Sequence, residues 1–348
     1  MKKYWSSRAA ALTPYTAGEQ PKQKLVKLNT NENAYPQSPK VREAVLGQID
    51  KLRLYPNPNA DLLRTAIAQR EGLDISQVFC ANGSDEALGF AYMAFFDEGS
   101  AVCVPDVTYS FYPVWAKLNN ISLDVVPLKA DFSIDVNGML GAENVVIANP
   151  NAPTGIALPL CELEQIIRSA RGVCIVDEAY VAFGGQSAAP LVNKYDNLVI
   201  VRTFSKSHSL AGLRTGYVLA NENLVDALFT VKDSFNSYPL DALAQAGAQA
   251  ALEDEAYYRG ITEKIVDTRQ STVAELEKRG IWVLPSSANF IYADFGERAK
   301  DVFLKLRENG VLVRYFEGER TRRFLRITIG TDSDMQLFFE ALARAADE

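Results

Sequence analysis

From about residue 61 onward the chain alternates short apolar runs with helical stretches, and few folds accommodate that order. A strand covered on both faces has no polar side to show, so it reads as a continuous apolar run. Strands of that kind separated by helices imply a parallel sheet with helices on its faces. The runs are Val78–Cys80, Ala101–Val104, Leu123–Val126, Asn144–Ala148, Val173–Val176, Leu198–Val201 and Gly216–Leu219. They predict an α/β unit built on a mostly parallel seven-stranded sheet, with helices such as Ser84–Phe96 and Leu160–Arg171 between the strands.

After Pro239 the pattern changes. A long Ala-, Gln- and Glu-rich helical stretch reaches roughly Lys278, and then comes a smaller α+β unit with strands at Trp282–Leu284, Asn289–Tyr292, Val311–Arg314 and Phe324–Thr328 and a helix over Arg298–Asn309. A chain of 348 residues exceeds what one hydrophobic core organises, so two substructures around a shared cleft are expected. The expected division is an N-terminal arm and helix packing with the small domain over 1–50, a large domain over 51–238, and a linking helix with the small C-terminal domain over 239–348. Tyr55-Pro56-Asn57-Pro58-Asn59 reads as a loop.

The net charge of −7 argues against a protein built to hold nucleic acid or an anionic membrane surface. The one local basic run, Glu319–Arg326, is of a kind that is ordinarily a solvated face. Cysteines at 80, 103, 161 and 174 include no Cys-x-x-Cys pair, and His208 is the only histidine, so no metal centre is expected. The cysteines read as structural thiols in a reducing compartment. Met1–Ala11, with Lys2, Lys3, Trp5 and Arg8, has no apolar run long enough for a signal peptide or membrane span, so the cytoplasm is the expected location.

The segment richest in chemistry is Thr203–Tyr217, directly after the run Leu198–Val201, because ligands bind at the carboxyl edge of such a sheet. Its Lys206 stands in a Ser- and Gly-rich loop; alone, such a lysine is usually a solvated side chain. Its surroundings matter more. In Val176-Asp177-Glu178-Ala179-Tyr180 an apolar strand delivers an aspartate at its carboxyl end and a tyrosine three residues later. A buried carboxylate needs a cationic partner, and a protonated pyridine nitrogen is one, the charge that makes pyridoxal 5'-phosphate an electron sink. The plain alternative is that Asp177 caps a helix or pairs with an arginine. Asn149–Gly155 follows another strand, and its turn could aim the Asn151 amide at a ring oxygen. Gly83, Ser84 and Asp85 open a helix, where backbone N–H groups and the Ser84 hydroxyl suit a phosphate, although Ser84 also serves as a plain N-cap.

With these residues in view the chain resembles the histidinol-phosphate aminotransferase family, among the class I and II pyridoxal-phosphate aminotransferases of fold type I. The likeness covers nearly the whole length. It is carried by Asn31-Glu32-Asn33, Tyr55-Pro56-Asn57-Pro58, Val107–Tyr112, Ser205-Lys206 with Gly212–Gly216, and Leu325–Gly330. The resemblance implies an aspartate-aminotransferase-like fold and amino transfer between histidinol phosphate, or imidazole acetol phosphate, and the pair glutamate and 2-oxoglutarate. It implies that Lys206 holds the cofactor as a Schiff base and shuttles the proton, and that Asp177 pairs the ring nitrogen. Tyr180 and Asn151 would hold the ring oxygen, and Tyr109 would stack on the ring. Ser84, Ser205, Arg214 and the backbone at Gly83 and Asp85 would bind the phosphate. Tyr55 would reach it from the other subunit of a homodimer. Tyr15, Asn33, Arg314 and Arg326 would meet the substrate.

Ala34, Ala152 and Ala81 depart from the family's pattern without removing a catalytic group. Two other activities fit the same motifs: an aminotransferase for aromatic amino acids and a decarboxylase of a phosphorylated amino acid. A binding protein that kept the fold and lost the chemistry would have lost Lys206 or Asp177, and both are present. His208 reads as incidental.

Overall fold

The computed structural model describes residues 4–23 and 25–347, so Lys2 and Lys3 of the N-terminal reading lie outside the described residues. The chain begins with α1 (Ser7–Ala11), β1 (Val26–Lys27), α2 (Pro39–Leu46) and α3 (Asp61–Glu71). It then alternates β2 (Val78–Ala81), α4 (Ser84–Phe95), β3 (Ala101–Pro105), α5 (Tyr112–Leu118), β4 (Ser122–Val126), α6 (Val136–Met139), β5 (Asn144–Ala148), α7 (Leu160–Ser169) and β6 (Cys174–Asp177). Strands β7 (Leu198–Thr203) and β8 (Gly216–Ala220) complete a seven-stranded sheet of order β2-β8-β7-β6-β5-β3-β4. Only β8 runs against the rest.

The apolar runs arise because both faces of this sheet are covered. Val145, Ile147, Cys174, Val176 and Ile200 point to one face, beneath Leu63 and Ile67 of α3 and Leu163 and Ile166 of α7. Their neighbours Val146, Ile175, Val199 and Val201 point to the other, beneath α4 and α5, and beneath Val225 and Leu228 of the next helix, α8 (Glu222–Phe235). Each such side chain contributes roughly 1.5–3 kcal/mol by leaving water. The exposed positions of β4 are those expected of an edge strand.

Beyond α8 come α9 (Ala242–Leu252), α10 (Glu255–Lys278), β9 (Trp282–Val283), β10 (Phe290–Asp294), α11 (Ala299–Glu308), β11 (Val311–Leu312), β12 (Arg314–Tyr315), β13 (Phe324–Thr328) and α12 (Asp332–Asp347). The helical stretch read as continuous is therefore two helices. At the break the Asp254 carboxylate is held by the Ser38 hydroxyl and by the Lys40 ammonium at 3.0 Å. The predicted strand Val311–Arg314 is likewise two strands, because it changes partners: β11 lies parallel to β1, and β12 lies antiparallel to β13.

Leu28 joins Ile291, Val313, Ile327 and Phe338 in the core of the C-terminal unit. Helix α2, expected to pack with the small domain, lies on α9, where a Cβ on Gly247 would sit 2.7 Å from the Leu213 side chain and 3.2 Å from that of Val45. Val41 belongs to the core under the large sheet. No described helix is long and apolar enough to cross a membrane.

Candidate active site

Register puts Asp177, the last residue of β6, beside Ala148, the last of β5, and Val201 of β7, which runs two residues further to Thr203. The loops that leave this edge, with β1's continuation and the arm, enclose a cavity of about 300 Å³. Lys206, Asp177, Tyr180, Ser84, Asp85, Tyr109, Ser205, Arg214, Tyr15, Arg314 and Arg326 all line it.

Asp177 is 6 % exposed. Burial pushes its carboxyl up to about 6, against the pull of the Ala179 N–H, which donates to Oδ1 at 3.0 Å, and the Tyr112 hydroxyl, which donates to Oδ2 at 3.0 Å. No ion pair forms at this carboxylate among the described residues. Its neighbour Glu178 is different: it takes the Arg202 guanidinium at 2.9 Å and the Ala188 N–H at 2.6 Å. One of two adjacent carboxylates thus has its cation, and the other faces the cavity without one.

Lys206 reaches the same space, its Nζ donating to the Thr30 carbonyl at 3.3 Å and lying 5.8 Å from the centre of the Tyr180 ring. The Tyr180 hydroxyl accepts from the Asn31 amide at 2.9 Å. Asn33 does not line the cavity. Its amide donates to the backbone carbonyl of Lys206 at 2.8 Å, which holds the lysine's own segment. Asn151 is buried beside the cavity, its amide donating to the Val107 carbonyl at 2.9 Å and the Thr154 hydroxyl at 3.1 Å.

At one end, α4 begins against the arginine of the β7–β8 loop. Gly83 has φ 89, and a Cβ there would sit 2.7 Å from the Arg214 guanidinium. A Cβ on Gly216 would sit 2.5 Å from the Gly83 carbonyl carbon and the Ser84 nitrogen, so only glycine lets β8 carry Arg214 this close to the helix start. Arg214 Nη2 lies 3.3 Å from the Asp85 carboxylate, whose other oxygen accepts from the Tyr109 hydroxyl at 2.8 Å. Burial and that carboxylate push the Tyr109 phenol well above its usual range.

At the other end stand two arginines. Arg314 and Arg326 are register partners on β12 and β13. Arg326 donates to the Asn29 carbonyl at 2.9 Å, and its buried Nε has no partner among the described residues. Burial lowers its pKa, and the charge of Arg314 adds to that. Arg314 donates to the Thr16 carbonyl at 3.1 Å, which ties down the arm that carries Tyr15 to within 5.1 Å of the Phe111 ring centre.

Tyr55 stays outside the cavity of its own chain, 82 % exposed and stacked on Tyr238 at 4.7 Å. His208 is buried between Phe204 and Tyr258, and burial pushes its pKa down to about 3. No group of potential metal ligands occurs among the described residues. Three site residues were given no role by the sequence: Thr30, and Asn31 and Tyr112, which enter it only as members of longer motifs. A single tyrosine at a helix start reads as core, and nothing local shows which carbonyl a lysine will meet.

The model of the aminotransferase class I and II family matches residues 23–342. A histidinol-phosphate aminotransferase of Acinetobacter baumannii is 49% identical over 338 residues, 95% of this chain and 94% of that protein. Histidinol-phosphate aminotransferase 1 of Hydrogenovibrio crunogenus is 49% identical over 98% of each chain. The crystal structure of a Sinorhizobium meliloti histidinol-phosphate aminotransferase in complex with pyridoxal-5'-phosphate superposes with a TM-score of 0.91 at 25% identity, covering 100% of this chain and 98% of that one. A family model that spans most of the chain, and relatives 49% identical over nearly all of it, show that the chain belongs to the class I and II aminotransferases, in their histidinol-phosphate aminotransferase family.

Proposed function

We propose that this enzyme moves the amino group of histidinol phosphate to 2-oxoglutarate, using pyridoxal 5'-phosphate attached at Lys206. The cavity fits that cofactor on its own geometry: a buried carboxylate without a cation meets a ring nitrogen, and the close approach of Gly83, Gly216 and Arg214 leaves backbone donors and a guanidinium for a phosphate. When bound there, the cofactor supplies the electron sink for the bond broken at the substrate α-carbon.

The chain's own groups then divide the work. Gly83, Ser84 and Asp85 offer helix-start N–H groups to the phosphate, joined by Ser205 and Arg214. Tyr109 would lie against the ring and Asp177 would meet its nitrogen. Tyr180 would hold the ring oxygen, together with Asn151 once its amide leaves the Thr154 hydroxyl. The Lys206 amine takes the proton from the substrate α-carbon and returns it on the other side of the transfer, work worth about 10²–10⁴ in rate. Tyr15 closes over the substrate.

The observation that carries the substrate assignment is the direct pairing of Arg314 and Arg326. Like charges opposite each other on neighbouring strands are destabilising, so this pair is best explained by an anion that both can share. A phosphate dianion matches two guanidinium groups better than a single carboxylate does. Arg326→Ala is expected to lower kcat/KM for histidinol phosphate by roughly 2–5 kcal/mol, the range for removing one partner of a buried charge pair. Unphosphorylated histidinol should be a poor substrate of the unaltered enzyme. Equal losses for phosphorylated and unphosphorylated substrates in Arg326→Ala would overturn the assignment.

The enzyme is further proposed to be a cytoplasmic homodimer. Leu46, Ile49, Leu52, Leu54, Leu62 and Phe235 are exposed apolar side chains in the same region of sequence as Tyr55 or its stacking partner Tyr238, and a second copy would cover them. Tyr55 would then reach the neighbouring subunit's phosphate. Mixing inactive Lys206→Ala with an impaired Tyr55→Glu protein under subunit exchange should restore activity, since each heterodimer holds one intact site. Activity no greater than the sum of the parents would exclude shared sites.

A further inference from the structure

One fully enclosed hydroxyl at the site belongs to no group that touches substrate. Tyr112 opens α5 with 0 % exposure, and its ring meets that of Tyr109 edge-on, with centres 5.5 Å apart and planes at 88°. Its hydroxyl donates to Asp177 Oδ2 at 3.0 Å. A phenylalanine would fill the same space, so the hydroxyl has to be explained by its partner.

That partner is the carboxylate assigned to the cofactor ring nitrogen. Burial and the Asp177 charge hold the Tyr112 phenol in its neutral form, so it keeps the proton it donates to that carboxylate. A donor to a carboxylate stabilises the ionised state and fixes where its lone pairs point. The Ala179 N–H does the same for Oδ1. Two donors from two elements thus aim one carboxylate, and the tyrosine also braces the ring expected to lie against the cofactor.

We propose that Tyr112 is a positioning residue: its hydroxyl keeps the charge on Asp177, so that the proton shared between that carboxylate and the cofactor's ring nitrogen stays on the nitrogen. The proposal rests on the cofactor reading given above. When the hydroxyl is removed, the proton shifts from ring nitrogen to carboxylate oxygen within the same pair; none is gained or lost, and the electron sink weakens.

The test uses Tyr112→Phe holoenzyme, which keeps the ring and its edge contact. Protein reconstituted with cofactor labelled with ¹⁵N in the ring should give a pyridinium-like ¹⁵N shift in the unaltered enzyme and a shift towards neutral pyridine in Tyr112→Phe. The Asp177→Asn protein marks the neutral end. Over the same comparison kcat should fall about tenfold while KM for both substrates stays within about twofold. An unchanged ¹⁵N shift in Tyr112→Phe overturns the proposal, whatever happens to kcat, because a packing role alone would leave the nitrogen protonated. A failure of the unaltered protein to bind the cofactor would instead refute the cofactor reading, and the proposal with it.

Discussion

Lys206→Ala is expected to abolish amino transfer, with kcat falling by about four orders of magnitude or more. General acid–base catalysis by one positioned group is worth up to about 10⁴, and this substitution also removes the covalent attachment point, so the two losses fall together. Folding should be spared, because the Lys206 side chain makes one long hydrogen bond, to the Thr30 carbonyl at 3.3 Å, and its segment is held separately by Asn33. The cofactor should still bind through Arg214 and the start of α4. Borohydride reduction of the unaltered holoenzyme followed by peptide mapping checks the assignment: the label is expected on the peptide containing Lys206, and a label on any other lysine would contradict it.

Asp177→Asn is expected to fold and to lose about three orders of magnitude in kcat, roughly 4 kcal/mol of transition-state stabilisation. A neutral amide cannot hold the proton on a ring nitrogen, and the other carboxylates nearby are committed: Asp85 to Arg214 and Tyr109, Glu32 to Lys27, and Glu178 to Arg202. The substitution has a second readout in the protein without cofactor. Burial raises the Asp177 carboxyl to about 6, from a usual value of about 3.9. A raised carboxyl contributes its stability while protonated and loses it as pH rises through the folded value. Melting temperature of the unloaded enzyme should therefore decline between about pH 4 and pH 6 from this group, and that part of the decline should vanish in Asp177→Asn. Near-normal turnover in the variant would remove Asp177 from the mechanism.

The large sheet was legible because burial on both faces leaves a simple mark: Val145–Ala148 and Cys174–Val176 are apolar at every position, and the polar residues begin where each strand meets the cavity. Lys206, Asp177 and Gly83 could be read for the same reason, each lying just past such a run. The C-terminal unit was less legible. Val311–Arg314 looks like one strand because its composition is uniform, while the break is imposed by partners far away in sequence, Val26 and Lys27 on one side and Arg326 on the other. The sequence also does not show how the Asn31–Asn33 segment turns: Asn31, with φ 57, gives its amide to Tyr180, and Asn33 gives its own to the Lys206 backbone. The role of Tyr112 could not be read from its motif, since it lies in a hydroxyl on helix α5 that meets a carboxylate at the end of β6.

Phosphate-directed amino transfer is read out by kcat/KM for histidinol phosphate, phenylalanine and tyrosine, each with 2-oxoglutarate as acceptor. Two facing arginines at the substrate end require histidinol phosphate to be preferred over both aromatic amino acids. Aromatic amino acids that match or exceed it would show that Arg314 and Arg326 serve only as a carboxylate clamp, and would contradict the proposed substrate.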